Sequence, residues 1–206
     1  LRRGCWDDYT RACRVSLDAA RRAGDVAGEA HALLLLALGD ARSGRRDAAP
    51  AFRESLRLFE TVNGYHRSQV TAHSSLIWIA EQQERYGDML GHAVRALRLS
   101  QAAGDETMEI MSLNDVGYSH ARLGNYGQAI AYCGQALAGS RAAGERNWES
   151  AAWDSLGYIH HKLGDHHRAV TCYERSLDLC RELADRYNEA GTLDRLGDVH
   201  HSAGDT

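Results

Sequence analysis

The chain has 206 residues, 44% of them hydrophobic and 25% charged, with one proline, twenty glycines and a formal net charge of −4. This is enough length and apolar content for a buried core, which excludes a disordered chain. The slightly acidic balance excludes a global basic field for gripping nucleic acid.

One proline against twenty glycines points to helices closed by glycine turns, because all-β folds use both residues in their turns. No apolar run approaches the ~18–20 residues of a membrane span, the longest extending from Ala32 to Leu38. No secretory leader is visible, and a start at Leu1 in place of Met is what an excised fragment would show. The five cysteines have no zinc-site spacing. Cys5 and Cys13, like Cys172 and Cys180, are eight residues apart, a rise of ~12 Å on a helix, whereas a disulfide needs Cα atoms within ~7 Å. All five are expected to be reduced, packed thiols of a cytoplasmic protein.

Apolar periodicity predicts helices at about 6–22, 26–42, 46–61, 67–84 and 86–102 in the first half, and at 106–122, 126–142, 146–162, 166–182 and 186–202 in the second. Glycines punctuate this pattern at intervals of forty residues. Gly117, Gly157 and Gly197 each follow an apolar residue, and Gly124, Gly164 and Gly204 come seven residues later. Gly4 and Gly44 share that second position. A third mark closes the units at Gly24, Gly104 and Gly144, with Asn63-Gly64 and Ala184-Asp185 in the same place elsewhere. One unit is therefore helix A, a short glycine turn, helix B and a second short turn.

Gly117 and Gly157 fall inside helices, where glycine costs ~1 kcal/mol relative to alanine. A recurring cost implies a recurring gain, here close backbone approach by helix B, with Ala129 and Ala169 as the small residues opposite. Gly124 and Gly164 are placed to end helix A in a left-handed conformation. Each hairpin is too small to bury its own faces, so the units must stack as an all-α solenoid.

Leu156-Gly157-Tyr158, Leu163-Gly164-Asp165, Ala169, Tyr173 and Ser176 resemble the tetratricopeptide repeat signature. That resemblance implies a right-handed superhelical solenoid of antiparallel helix hairpins over the whole chain. It divides the chain into a half repeat 1–24, repeats at about 25–64, 65–104, 105–144 and 145–184, and a half repeat 185–206, as one domain truncated at both ends. Neither end shows the polar outer face of a capping repeat. Two units depart from the pattern. The first has Ala37 in place of glycine and Pro50 in the first turn of helix B, where proline is tolerated. The next has Ile77 and Glu84 in place of both glycines.

A narrower resemblance rests on three stretches: Tyr158-Ile159-His160-His161-Lys162-Leu163-Gly164-Asp165, Ala169-Val170-Thr171-Cys172-Tyr173 and Gly197-Asp198-Val199-His200-His201. They resemble the C-terminal repeats of actinobacterial multidomain transcriptional regulators, including the Streptomyces antibiotic regulatory protein type. This implies a regulatory role in antibiotic biosynthesis, although the chain has no G-x-x-x-x-G-K-[ST] loop and no basic recognition helix.

Eleven histidines suggest a metal site, with His160, His161, His166 and His167 beside His120, His200 and His201. However, His120, His160 and His200 share a repeat position that packs an aromatic in tetratricopeptide repeats, and no carboxylate recurs at i+4. Packed imidazoles, no metal and no cofactor are expected. Cys13 and Cys133 take a packing position, and there is no G-x-S-x-G or H-E-x-x-H motif, so no catalytic centre is expected either.

The resemblance places the partner-binding concave face on helix A residues. These are Ser74, Trp78, Glu81 and Gln82; Asn114, Tyr118, Ala121 and Arg122; Asp154, Tyr158, His161 and Lys162; and Asp194, Asp198, His201 and Ser202. Trp78, Tyr118 and Tyr158 would form an aromatic track beside Asn114, Arg122 and Lys162, with Asp154, Asp194 and Asp198 turning one end negative. Such a strip suits a protein, a peptide or a sister domain of a parent chain. Direct nucleic-acid or membrane binding is not expected. End-to-end self-association through the cut ends is the alternative use.

Overall fold

In the computed structural model, residues 3–43 and 47–203 are described. Ten α-helices are present among them: α1 (Arg3–Ala23), α2 (Val26–Ser43), α3 (Ala49–Phe59), α4 (His66–Gln82), α5 (Tyr86–Ala103), α6 (Glu106–Arg122), α7 (Tyr126–Ala143), α8 (Arg146–Lys162), α9 (His166–Glu182) and α10 (Arg186–Ala203). The expected all-α fold is the one observed. The chain divides into two compact units, Leu1–Ala103 with α1–α5 and Gly104–Thr206 with α6–α10. In each unit, consecutive helices pack against one another. The marks at Gly44 and Gly204, and the side chains of residues 1–5 and 7 (Cys5 among them), lie outside the described residues.

Helix ends fall within a few residues of the periodicity. The largest difference is α3, expected over 46–61 and found at Ala49–Phe59. Pro50 sits in its first turn, where the missing N–H costs nothing. Several helices start on an aspartate whose carboxylate accepts a free backbone N–H: Asp25 from Gly28 at 2.9 Å, Asp105 from Met108 at 3.1 Å and Asp165 from Arg168 at 3.1 Å. Such caps contribute about 1 kcal/mol each.

Among the described residues, the turns are governed by a left-handed residue that follows the helix. Gly124 and Gly164 adopt φ of 78° and 77°. The next residue then reaches back one full turn, Asn125 N–H to the His120 carbonyl and Asp165 N–H to the His160 carbonyl, both at 2.9 Å. The departures from glycine do not change this geometry. Glu84 and Ala184 take φ of 54°, and the same bonds form from Arg85 to Ala80 at 2.8 Å and from Asp185 to Cys180 at 2.9 Å. A side chain is being held where only glycine is comfortable, at a cost of about 1 kcal/mol.

Close approach inside the hairpins is as expected at Gly117. A Cβ there would sit 2.9 Å from the Cys133 backbone nitrogen and 3.1 Å from the Ala129 carbonyl oxygen, and would collide with the Cys133 sulfur. At Gly157 the expectation of backbone contact needs correction. The neighbour is the ring of Tyr173, 2.7 Å from the hypothetical Cβ. Gly197 has nothing within 4 Å. At the corresponding positions of α4 and α5 stand Ile77 and Ala93, both buried. Bulk has moved from helix B to helix A, so this hairpin closes without glycine. The Ala37 repeat is compensated differently. Phe52 and Phe59 are fully buried in its core, and His31 packs edge-on to Phe59 and Tyr65, with ring centroids at 4.8 and 5.2 Å.

A link not anticipated from sequence joins helix B to the following helix A at three of the turns. Arg21 donates to Glu29 at 2.7 Å, and Arg141 to Glu149 and Arg181 to Glu189 at 2.9 Å, each pair eight residues apart across a turn. The first helix, α1, buries Cys13 and Leu17. Its exposed side is polar, with Asp8, Arg11, Arg14, Ser16 and Asp18, and Val15 is its one exposed large hydrophobic among the described residues.

Replacing Ala184 with glycine should raise stability by about 0.5–1 kcal/mol, because the αL strain exceeds the entropy that glycine adds to the unfolded chain. Urea denaturation monitored by circular dichroism measures it. A loss of stability in Ala184→Gly would contradict the strain.

Candidate functional site

The second unit brings part of the expected surface together. Tyr118 on α6 and Tyr158 on α8 are forty residues apart and one hairpin apart, and their rings meet edge to face with centroids at 5.5 Å. Arg122, one turn beyond Tyr118, donates to the Tyr118 hydroxyl at 3.2 Å, and its guanidinium carbon lies 5.8 and 5.9 Å from the two ring centroids. Lys162, one turn beyond Tyr158, places its ammonium 5.5 Å from the Tyr158 ring. The i, i+4 spacing on successive helix A elements thus builds two rings flanked by two cations. Each cation–π contact contributes about 0.5–1 kcal/mol where solvent reaches it.

The floor beside this cluster is polar and buried. Asn114 is 9% exposed and its Oδ1 has no hydrogen-bond partner. Tyr173, fully buried on α9, likewise keeps a hydroxyl without a partner, and burial, then the Asp154 charge, pushes that phenol well above its ordinary pKa. An acceptor and a hydroxyl left unpaired in a protein interior are costly.

Asp154 changes role. It was expected to lend negative charge to one end of the surface. It instead accepts from Thr192 Oγ1 at 3.0 Å and from Arg195 at 2.5 Å, both on α10. The pair ties α8 to α10, and its charge is compensated. Asp194 and Asp198 remain exposed, as does His201. His161 shares a hydrogen bond with Ser202 at 3.2 Å. Burial lowers its pKa, with Lys162 and His166 adding to the shift and Asp198 opposing it.

Trp78 lies on α4 in the first unit, 50% exposed. Ser74, on the same helix, has a buried hydroxyl without a partner, while Gln82 is exposed. The structure therefore joins Tyr118, Tyr158, Arg122 and Lys162 within the second unit, while Trp78 belongs to the first. Arg195 and the Tyr173 hydroxyl were not among the expected site residues. Register gives no sign of Arg195, because the equivalent positions hold Ser155 and Asp115.

The other expected chemistry takes these forms. His120 and His160 are half-buried and shifted down by burial, and His120 stacks on Tyr132 at 5.7 Å. His200 is exposed, which departs from the packed role expected of that position. No group of three or more metal-ligating side chains comes together among the described residues. Cys13, Cys133, Cys172 and Cys180 are free and buried. Burial pushes the Cys133 thiol up to about 12 and the Cys172 thiol up to about 11, far from the thiolate a nucleophile needs. No helix among the described residues is long and apolar enough to cross a membrane.

Comparison with known proteins agrees with the helical-repeat fold. The tetratricopeptide repeat family model matches residues 106–182 and 148–206, so such repeats are present throughout the second unit. No curated protein matches the chain. Among solved structures, BtubC (BKLC) from P. vanneervenii is similar at 20% identity and TM-score 0.73, over 97% of this chain and 85% of its own. A Signal Transduction ATPase with Numerous Domains protein with a tetratricopeptide repeat sensor, from Pyrococcus horikoshii, gives 17% identity and TM-score 0.71, over 89% of this chain and 29% of its own. Aspartyl phosphate phosphatase F from Bacillus subtilis gives 15% and 0.68, over 87% and 51%. Identities this low show a shared fold alone.

A double-mutant cycle on Asp154→Asn and Arg195→Leu should return a coupling of about 1–3 kcal/mol, because each single change leaves a partly buried charge or its donors unmatched. Thermal unfolding of the four proteins measures it. Additive single effects would mean that the pair does not hold α10 to α8.

Proposed function

We propose that the chain is a non-catalytic module that binds a protein or peptide through the helix A surface of its second unit. It serves as the sensor arm of a cytoplasmic bacterial transcriptional regulator of secondary metabolism. The observation that carries the binding reading is the cluster of Tyr118, Tyr158, Arg122 and Lys162 over a floor where Asn114 and Tyr173 lack partners. Two tyrosine faces offer apolar area at small entropic cost. The two cations orient whatever lies on them. An acidic or aromatic side chain of a ligand would suit Arg122 and Lys162. Exposed Asp194 and Asp198 suit a ligand with basic character at that end.

The regulatory part rests on the narrower sequence resemblance, and it is supported by the Pyrococcus horikoshii protein, whose description couples a tetratricopeptide repeat sensor to a signalling ATPase. Such a module acts by binding its partner with different affinity in two states of a parent protein, or by docking on a sister domain. A second reading, a scaffold that self-associates, is favoured by α10, where Leu193 is 44% and Tyr187 85% exposed. Mass by light scattering across a dilution series separates the two, since a strict monomer removes the second.

Peptides selected from a random display library on the intact chain should bind the unmodified protein. They should lose at least about 30-fold in affinity, or 2 kcal/mol, when Arg122→Ala and Tyr158→Ala are combined. Circular dichroism checks the fold. Undiminished affinity in a folded double variant would contradict the assignment.

A further inference from the structure

The forty-residue register builds one kind of groove twice, once in each unit, and the two copies differ in charge. In the second unit it spans α7, α8 and α9 with a volume of about 420 Å³. Its charges satisfy one another: Arg141 binds Glu149 at 2.9 Å and Arg146 binds Glu149 at 3.4 Å and also Glu182. The Arg141 guanidinium also lies 5.0 Å from the Trp153 ring centroid.

Eighty residues earlier, the groove over α3, α4 and α5 is smaller, about 230 Å³, and is lined by Leu56, Glu60, Gln69, His73, Arg95, Arg98 and Leu99. Here Gln69 replaces Glu149, Arg98 replaces Asp178, Ala102 replaces Glu182 and Thr61 replaces Arg141, while Arg95 keeps the place of Arg175. The carboxylates that neutralise the second groove are gone, and one has become an arginine. Neither Arg95 nor Arg98 has a salt-bridge partner among the described residues. Arg53 on α3 adds to the local positive charge and weighs on His92 together with Arg95 and Arg85, against Asp88. Glu60 is the one carboxylate on the groove wall among the described residues.

Two neutral groups complete the wall. Gln69 is 8% and His73 4% exposed. His73 Nδ1 lies 3.0 Å from His92 Nδ1, so one ring donates and the other accepts. Burial, with the His92 and Arg95 charges, takes His73 down to about 4, leaving it neutral near pH 7. When His92 donates, His73 carries its proton on Nε2 and is itself a donor.

We propose that this groove of the first unit, walled by Arg95 and Arg98 of α5 and by Gln69 and His73 of α4, binds the phosphoryl group of a phosphate monoester. A phosphoryl group carries about −1.5 to −2 charges and three acceptor oxygens. It can therefore engage two guanidinium forks and a neutral donor at once, and it brings more negative charge to two arginines than the single charge of a carboxylate. Leu56 and Leu99 give the ester carbon an apolar wall. This site is separate from the tyrosine cluster of the second unit and stands or falls independently of it.

The test is calorimetric titration of the intact chain with inorganic phosphate, O-phosphoserine and a short phosphoserine peptide, with the unphosphorylated peptide as blank. Imidazole resonances of His73 and His92 are followed in parallel. Saturable binding of the phosphate probes that moves both resonances is expected. Arg95→Ala, and Arg98→Asp with the residue of the second groove, should each weaken it at least about tenfold. Glu60→Gln should tighten it about two- to fivefold by removing a like charge. Both arginines are exposed, so the variants should keep the fold, as circular dichroism will show. A peptide binding more tightly than phosphoserine marks a phosphoprotein as the source, and equal affinities mark a small ester. No saturable binding, equal binding in the arginine variants, or binding that leaves both resonances unmoved would overturn the site.

Discussion

The contact on which the hairpins of the second unit depend is the approach of helix B to a glycine on helix A. At Gly117 the partner backbone comes so close that a Cβ would lie 2.9 Å from a peptide nitrogen. That closeness sets the interhelical distance for Ala129, Cys133 and Ala136, all fully buried between their neighbours. Protein interiors are packed too densely to absorb an added methyl where backbone is the obstacle. The left-handed residue that ends helix A acts with this contact, because it turns the chain back at the one angle that brings helix B onto the glycine.

The same constraint places the candidate binding surface. Once α6, α8 and α10 recur in register, residues forty apart lie beside each other, which is why Tyr118 and Tyr158 meet at 5.5 Å. The cations come one helical turn later on the same faces. Asp154 and Arg195 then fix α10 to α8, so the surface rests on a structural ion pair. It is open to solvent where Asp194 and Asp198 project.

Much of this was legible in the sequence because repetition makes position meaningful. The helices, the turn glycines and the pairing of Tyr118 with Tyr158 all follow from a forty-residue interval. What register could not reveal is what occurs once. Arg195 has no counterpart at Ser155 or Asp115, and the exchange of bulk between Ile77 and Ala93 breaks the glycine rule while preserving the packing it serves. The Arg–Glu links across the B-to-A turns do repeat, at 21 and 29, 141 and 149, and 181 and 189. They lie at polar positions outside the apolar periodicity that marks the helices. Their absence at Thr61 and Gln69 is what sets the two grooves apart.

The most direct test of the hairpin account compares one substitution at two positions of the same register, in urea denaturation followed by circular dichroism. Gly117→Ala should lose about 2–3 kcal/mol, because the methyl meets backbone that cannot yield. Gly197→Ala has open space and should gain up to about 1 kcal/mol from helix propensity. If Gly117→Ala were neutral or stabilising like Gly197→Ala, close approach at the glycine would not be what holds α6 to α7.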